Sequence, residues 1–230
     1  MRLILPALAL MLAATPLHAA ERNFTVTGFT KIRIDGAYNV KLTTNSAPFA
    51  RASGDPAGLD QVAMEVQGNT LVIHPNRSSW GGYPGEARKP VEISVGTHDL
   101  ASAWVNGPGS ITIDRVRGLT FDFAIEGSGS GSIAAAEVDQ MRIRIAGTAT
   151  ATVVGKAPRL TAQVRGSSSL DALGLASKDV VIAAEGPASV KIAAANTAKV
   201  DAYGTSVVEL TGKPACTTRV YGSATVNGCK

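Results

Sequence analysis

Residues 121–147 read FDFAIEGSGSGSIAAAEVDQMRIRIAG, two alternating apolar runs that each end on a glycine, Gly127 and Gly147. Strict alternation over six residues signals a half-buried strand. The glycine at a fixed place after it signals a corner, where a positive φ costs glycine little. Alone, GSGSGS at 127–132 has the composition of a flexible linker. Its place in the pattern assigns it to a corner of a coil.

The same unit recurs on both sides. Glycines stand at Gly107, Gly127, Gly147, Gly166, Gly186, Gly204 and Gly222, in steps of 18 to 20 residues. The runs before them are ASAWVN, FDFAIE, MRIRIA, LTAQVR, VVIAAE, AKVDAY and CTTRVY. One alternate set is almost wholly apolar, with Ala101, Ala103 and Val105, then Phe121, Phe123 and Ile125, then Met141, Ile143 and Ile145. The other set is polar or small, with Ser102 and Trp104, Asp122 and Glu126, Arg142 and Arg144. Four residues after the corner a second apolar position follows at Ile111, Leu170, Val190, Val208 and Val226, and two coils with longer turns place it at Ile133 and Val153. Each coil thus carries at least two inward-facing strands. One unit leaves its apolar face bare, and stacking buries it, with coils about 4.8 Å apart. The expected fold is all-β, a right-handed parallel β-helix with coils of 18–20 residues. An antiparallel sandwich also gives strands every 8–12 residues, but a corner locked to one register suits stacked coils better.

The N-terminal third is less regular and built alike. FTKIRIDGAYNVKLTT carries Ile32, Ile34, Gly36 and Val40, the same corner with the same four-residue step. LDQVAMEVQGNTLVIHP adds two strands around Gln67, Gly68 and Asn69. Residues 75–90 depart from the repeat as a long loop carrying Trp80 and Tyr83.

These residues resemble the head GIN domain family. The resemblance rests on Phe29, Ile32, Ile34, Gly36, Val40 and Leu42, on Gly54-Asp55 ahead of a strand ending at Leu71 to Ile73, and on the corner at Gly127. It extends over essentially the whole mature chain. The family is described as an autotransporter adhesin head domain, and the resemblance implies a right-handed β-helix exported in bacteria, with no established activity. Its motifs are corner and core residues, so no catalytic site comes with it. The corners at Gly147 and Gly166 depart from the GSG form, which argues against reading the corner as a binding loop.

The ends of the chain set the compartment. Met1-Arg2, an apolar run from Leu3 to Leu12 and small residues at Ala13, Ala14, Ala19 and Ala20 read as a cleaved signal peptide over residues 1–20. The rival, an uncleaved anchor, is disfavoured because the run falls short of the roughly 20 residues a span needs. No later stretch reaches that length either. Residues 21–230 form a single domain, exported to periplasm, cell surface or medium. Cys216 and Cys229, the two cysteines present, read as one disulfide in an oxidising compartment. A two-ligand metal site is the rival reading, without a histidine nearby to complete it. Cys216 falls at an inward position of the last coil, so a disulfide there would pin that coil.

Composition narrows function. Formal charge is +4 and charged residues make up 17% of the chain, with no basic run of the kind that marks a nucleic-acid partner. His74 and His98 lie in different segments without a nearby cysteine, and the corners lack the repeated acidic turns of calcium solenoids. Neither cofactor nor metal is expected. Polysaccharide-cleaving β-helices need clustered carboxylates. Here Asp122 should neighbour Arg142, and Arg165 should neighbour Glu185, as cross-strand charge pairs. Glu126 and Glu185 share a column three coils apart, roughly 14 Å, too far for a retaining pair. The expectation is a non-enzyme. Aromatics supply the binding hint: Tyr203 and Tyr221 should stack side by side on adjacent coils, Trp104 projects outward, and Trp80 and Tyr83 tip the loop. Exposed aromatics suit sugar rings or a protein partner, although a tyrosine ladder also serves simply to cover a sheet. The reading is a surface or envelope adhesion module recognising glycan or protein. Its rivals are a self-associating, homo-oligomeric envelope component and a polysaccharide-active enzyme.

Overall fold

A computed structural model describes residues 20–76 and 91–230. The first part holds β1 (Ala20–Phe24), β2 (Lys31–Asp35), β3 (Asn39–Thr43), β4 (Phe49–Gly54), a short helix α1 (Pro56–Asp60), β5 (Val62–Gln67) and β6 (Thr70–Pro75). The middle holds β7 (Val91–Gly96), β8 (Ser102–Asn106), β9 (Ser110–Ile113), β10 (Val116–Gly127) and β11 (Ser130–Gly147). The last part holds β12 (Thr150–Lys156), β13 (Arg159–Gly166), β14 (Ser169–Glu185), β15 (Ser189–Gly204), β16 (Val207–Thr211), β17 (Ala215–Gly222) and β18 (Thr225–Asn227). The structure is nearly all-β, arranged as a β-solenoid of about six turns.

From β8 onward the register is the one the sequence dictates. Val105, Ile125, Ile145, Val164, Ala184 and Ala202 lie one above another across parallel pairings, and each is at most 1% exposed. A parallel neighbour on both sides satisfies the backbone, while burial of each Val or Ile side chain in the column contributes roughly 1.5–3 kcal/mol. The corner glycines stack as well. Gly147 has φ +104°, and a Cβ there would stand 2.2 Å from the Gly127 carbonyl oxygen. Both the backbone conformation and the close approach of the next coil therefore demand glycine. The GSGSGS stretch is coil, with Ser130, Gly131 and Ser132 paired to Thr150, Ala151 and Thr152. Gly131 faces inward, where a Cβ would meet the Phe123 ring at 2.4 Å.

Each coil has three faces, one more than the two strands the alternation marks. The first face carries the strands before the corner glycine, the second those after it. The third is short: Val116 to Gly118 pairs with Ala136 to Val138, and Ala136 pairs with Gly155. Val116, Ala136, Val138 and Leu175 are among its buried residues. It escapes a periodicity reading because only two or three residues separate its corners, and bulges shift the register between Ile133 and Ala136 and between Thr152 and Gly155.

One inward assignment is corrected. Ala101 is exposed and Ser102 is buried, because β8 starts only at Ser102. Ala101 still belongs to the crossing segment, while Ser102 has Lys31 on one side and Asp122 on the other.

The N-terminal third contains the expected corner and adds a capping arrangement. Gly36 has φ +124°, and Val40 stacks on Ile111. However, the β2–β3 coil lies between two later ones, with β2 paired to β6 and β8, and β3 to β7 and β9. The remaining strands are antiparallel, β5 on β6, β4 on β7 and β1 on β4. The segment after β7 passes back over the first coil and is strapped to it. Thr97 N–H donates to the Thr43 carbonyl (3.1 Å), Asn45 N–H to that of His98 (2.9 Å) and Ala101 N–H to that of Thr30 (2.7 Å). The buried Thr97 hydroxyl donates to the Phe29 carbonyl.

Candidate functional site

Outward residues of the first face fall into straight columns, because parallel pairing in constant register repeats the same position at every coil. Nearest the second face, one column runs Glu126, Ala146, Arg165, Glu185, Tyr203, Tyr221. Tyr203 and Tyr221 close it as a stacked pair, with ring centroids 5.1 Å apart and planes 5° from parallel. They are 38% and 55% exposed. The pairing expected from sequence is therefore present. Beside it, Arg219 Nε lies 2.8 Å from Asp201 Oδ1.

Asp122, Glu185 and Asp201 on this face sit opposite basic groups on adjacent coils, while Glu126 lies between Asn106 and Ala146. Arg142 approaches Asp122 at 3.6 Å and Arg165 approaches Glu185 at 3.2 Å, both as the repeat register requires. Glu126 and Glu185 are separated by Ala146 and Arg165 in their column. Among the described residues no group of three or more His, Cys, Asp and Glu is placed to hold a metal ion. No described helix is long and apolar enough to cross a membrane.

Near the third face the same strands form a groove of about 560 Å³ that runs along the solenoid axis. Two columns line it. One runs Gln140, Arg159, Asp179, Thr197, Ala215, and the other includes Thr161, Val181, Lys199 and Thr217. Its floor is low because Thr161, Val181 and Thr217 are short, while Arg159 and Lys199 are long. Sequence reading missed this groove. The signal was available in the outward set of the alternation, but only once adjacent coils are aligned residue by residue across the third face.

Other sequence-marked residues are dispersed. Trp104 is half-buried in the outward column between Arg33 and Ala124. It lies five coils from Asp201, which occupies the same column beside the tyrosines, about 24 Å along the axis. The structure does not bring it to the tyrosine pair. Trp80 and Tyr83 lie outside the described residues, as do residues 1–19. Cys216 follows Ala198 in an inward column and is joined to Cys229, with Cα atoms 5.6 Å apart. That bond draws the terminal segment across the last coil, where Lys230 N–H donates to the Pro214 carbonyl at 3.1 Å.

Comparison with known proteins agrees with this architecture. A solved structure described as a "putative adhesin" from Bacteroides fragilis NCTC 9343 superposes with a TM-score of 0.79 at 15% identity, covering 90% of this chain and 94% of that one. A "putative lipid binding protein" from Parabacteroides distasonis ATCC 8503 gives 0.70 at 19% identity, covering 94% and 98%. A "putative adhesin" from Parabacteroides merdae ATCC 43184 gives 0.68 at 16% identity, covering 92% and 96%. At these identities the likeness establishes the fold alone. No curated protein matches the chain. The model of the family described as "Putative auto-transporter adhesin, head GIN domain" matches residues 28–214, and the chain belongs to that family.

Proposed function

We propose that the chain is an exported, non-enzymatic binding module of the bacterial envelope or surface that engages glycan through the outward side of its first face. The stacked, exposed pair of Tyr203 and Tyr221 carries this reading. Tyrosine rings offer an apolar surface at little conformational cost and a hydroxyl that hydrogen-bonds at the rim. These two are held on strands whose backbone is fixed by the coil below, so little order has to be created on binding. Export is supported by the signal-like residues 1–20 and by the disulfide between Cys216 and Cys229. A binding role in place of catalysis is supported by the outward carboxylates, since Asp122, Glu185 and Asp201 each lie beside a basic group on an adjacent coil.

A glycan array probed with the mature protein tests the reading. Specific sugars should be retained, and Tyr203→Ala or Tyr221→Ala should weaken them about tenfold, equivalent to about 1.4 kcal/mol. Concentration-dependent self-association with no glycan retained would favour a structural envelope role. Depolymerisation of a bound polysaccharide would favour an enzyme.

A further inference from the structure

The basic residues of the first face are not all committed. Arg142, Arg165 and Arg219 each pair with a carboxylate in an adjacent coil. Arg144, Arg159 and Lys199 do not, and of these Arg159 and Lys199 are exposed in the groove. Among the described residues neither makes a hydrogen bond or an ion pair. Asp179 stands next to Arg159 in register, yet its Oδ1 accepts a 2.6 Å hydrogen bond from the Thr197 hydroxyl. Asp179 also lines the groove, and with its carboxylate held by Thr197 it makes no ion pair with Arg159.

The groove and the tyrosine pair share one surface. Lys199 and Tyr203 lie on β15, four positions apart and pointing the same way, a separation of about 13 Å. Arg159 lies two coils from Thr197 in its column, about 10 Å along the axis. Val181, at 45% exposure, offers an apolar patch between the two cations. A ligand crossing this face meets stacked rings at one margin and, at the other, two cations outside any ion pair, with the single carboxylate of Asp179 on the coil between them.

We infer that the glycan engaged by this face is acidic, its carboxylate or sulfate groups held by Arg159 and Lys199 while its rings lie against Tyr203 and Tyr221. This rests on the glycan-binding reading above and adds the ligand's charge. Two cations outside any ion pair, outnumbering the groove's one carboxylate, are poorly matched to a neutral ligand, whereas an anion would form charge-assisted hydrogen bonds with both.

The test uses the mature protein, polygalacturonate as the carboxylate probe and dextran sulfate as the sulfate probe. Carboxyl-reduced polygalacturonate and plain dextran are the neutral counterparts. Binding to at least one acidic probe is expected, with the neutral counterpart about tenfold weaker or more. Affinity should fall as ionic strength rises from about 0.01 to 0.15 M. The double variant Arg159→Gln/Lys199→Gln should abolish most of the acidic preference. A control, Lys41→Gln/Lys191→Gln, removes the same charge from the second face, where each lysine is paired at 3.3 Å with Glu92 or Glu209. It should change binding little. Equal binding of acidic and neutral probes would overturn the acidic ligand and leave the glycan reading intact. An equal loss in the control would also overturn it, as adhesion driven by net charge. Retention of no glycan of either kind would overturn both.

Discussion

Tyr203 and Tyr221, eighteen residues apart in sequence, stand face to face because β15 and β17 pair directly in one unbroken register. Their coupling is measurable. A double-mutant cycle with Tyr203→Ala and Tyr221→Ala should give an interaction of about 0.5–1.5 kcal/mol by urea unfolding. A coupling near zero would mean that the rings cover the sheet independently.

Glycine substitutions should sort by the space behind them. Gly147→Ala imposes a positive φ on alanine and drives its Cβ against the Gly127 carbonyl. A loss of about 2–4 kcal/mol is expected, from both backbone strain and overpacking. Gly68→Ala in the β5–β6 hairpin has φ +63° with nothing within 4 Å. There only the backbone contribution applies, and about 1 kcal/mol should be lost. Denaturant midpoints with unchanged slopes would check the difference.

The pair Gly131 and Phe123 offers a packing test. Gly131→Ala alone should destabilise by about 1–3 kcal/mol, since the ring of Phe123 fills the space a Cβ needs. With Phe123→Leu already in place, the same change should cost markedly less. Thermal unfolding of the four proteins reads the non-additivity.

Removing the disulfide should act locally. Cys216→Ser/Cys229→Ser opens a loop of sequence separation 13 and should lower stability by roughly 3 kcal/mol in the chain-entropy picture. Hydrogen exchange should accelerate first in β17 and β18, which have a coil on one side only. Uniform acceleration along the solenoid would show that the last coil is not an independent unit.

The legible part of the fold was the part that repeats. Ile143 and Ile145 alternate with Arg142 and Arg144, and that pattern suffices to fix their faces, their corner at Gly147 and their neighbours one coil away. Val116, Ala136 and Gly155 were hidden, because a face of two or three residues with shifting register has no period to detect. Ala101 misled because alternation continues in sequence across a boundary that the strand does not share. The tyrosine pair followed from the coil length, since one outward position repeated on adjacent coils must meet. The groove did not follow. Arg159 and Lys199 belong to different columns and different coils, and what sets them apart from Arg142 and Arg165 is a missing ion-pair partner beside a groove, which is a property of distance rather than of spacing.

The insertion of the β2–β3 coil between later coils sets an order of assembly. Phe121 finds Met141 only 20 residues away, and comparable steps repeat to the C-terminal end. Lys31 pairs with Thr70 and Ser102, separations of 39 and 71 residues. Closing such loops before any contact is gained slows folding. The regular coils should therefore form first and serve as a template. The N-terminal coil, although made earlier, should be the last to acquire protection on both of its edges.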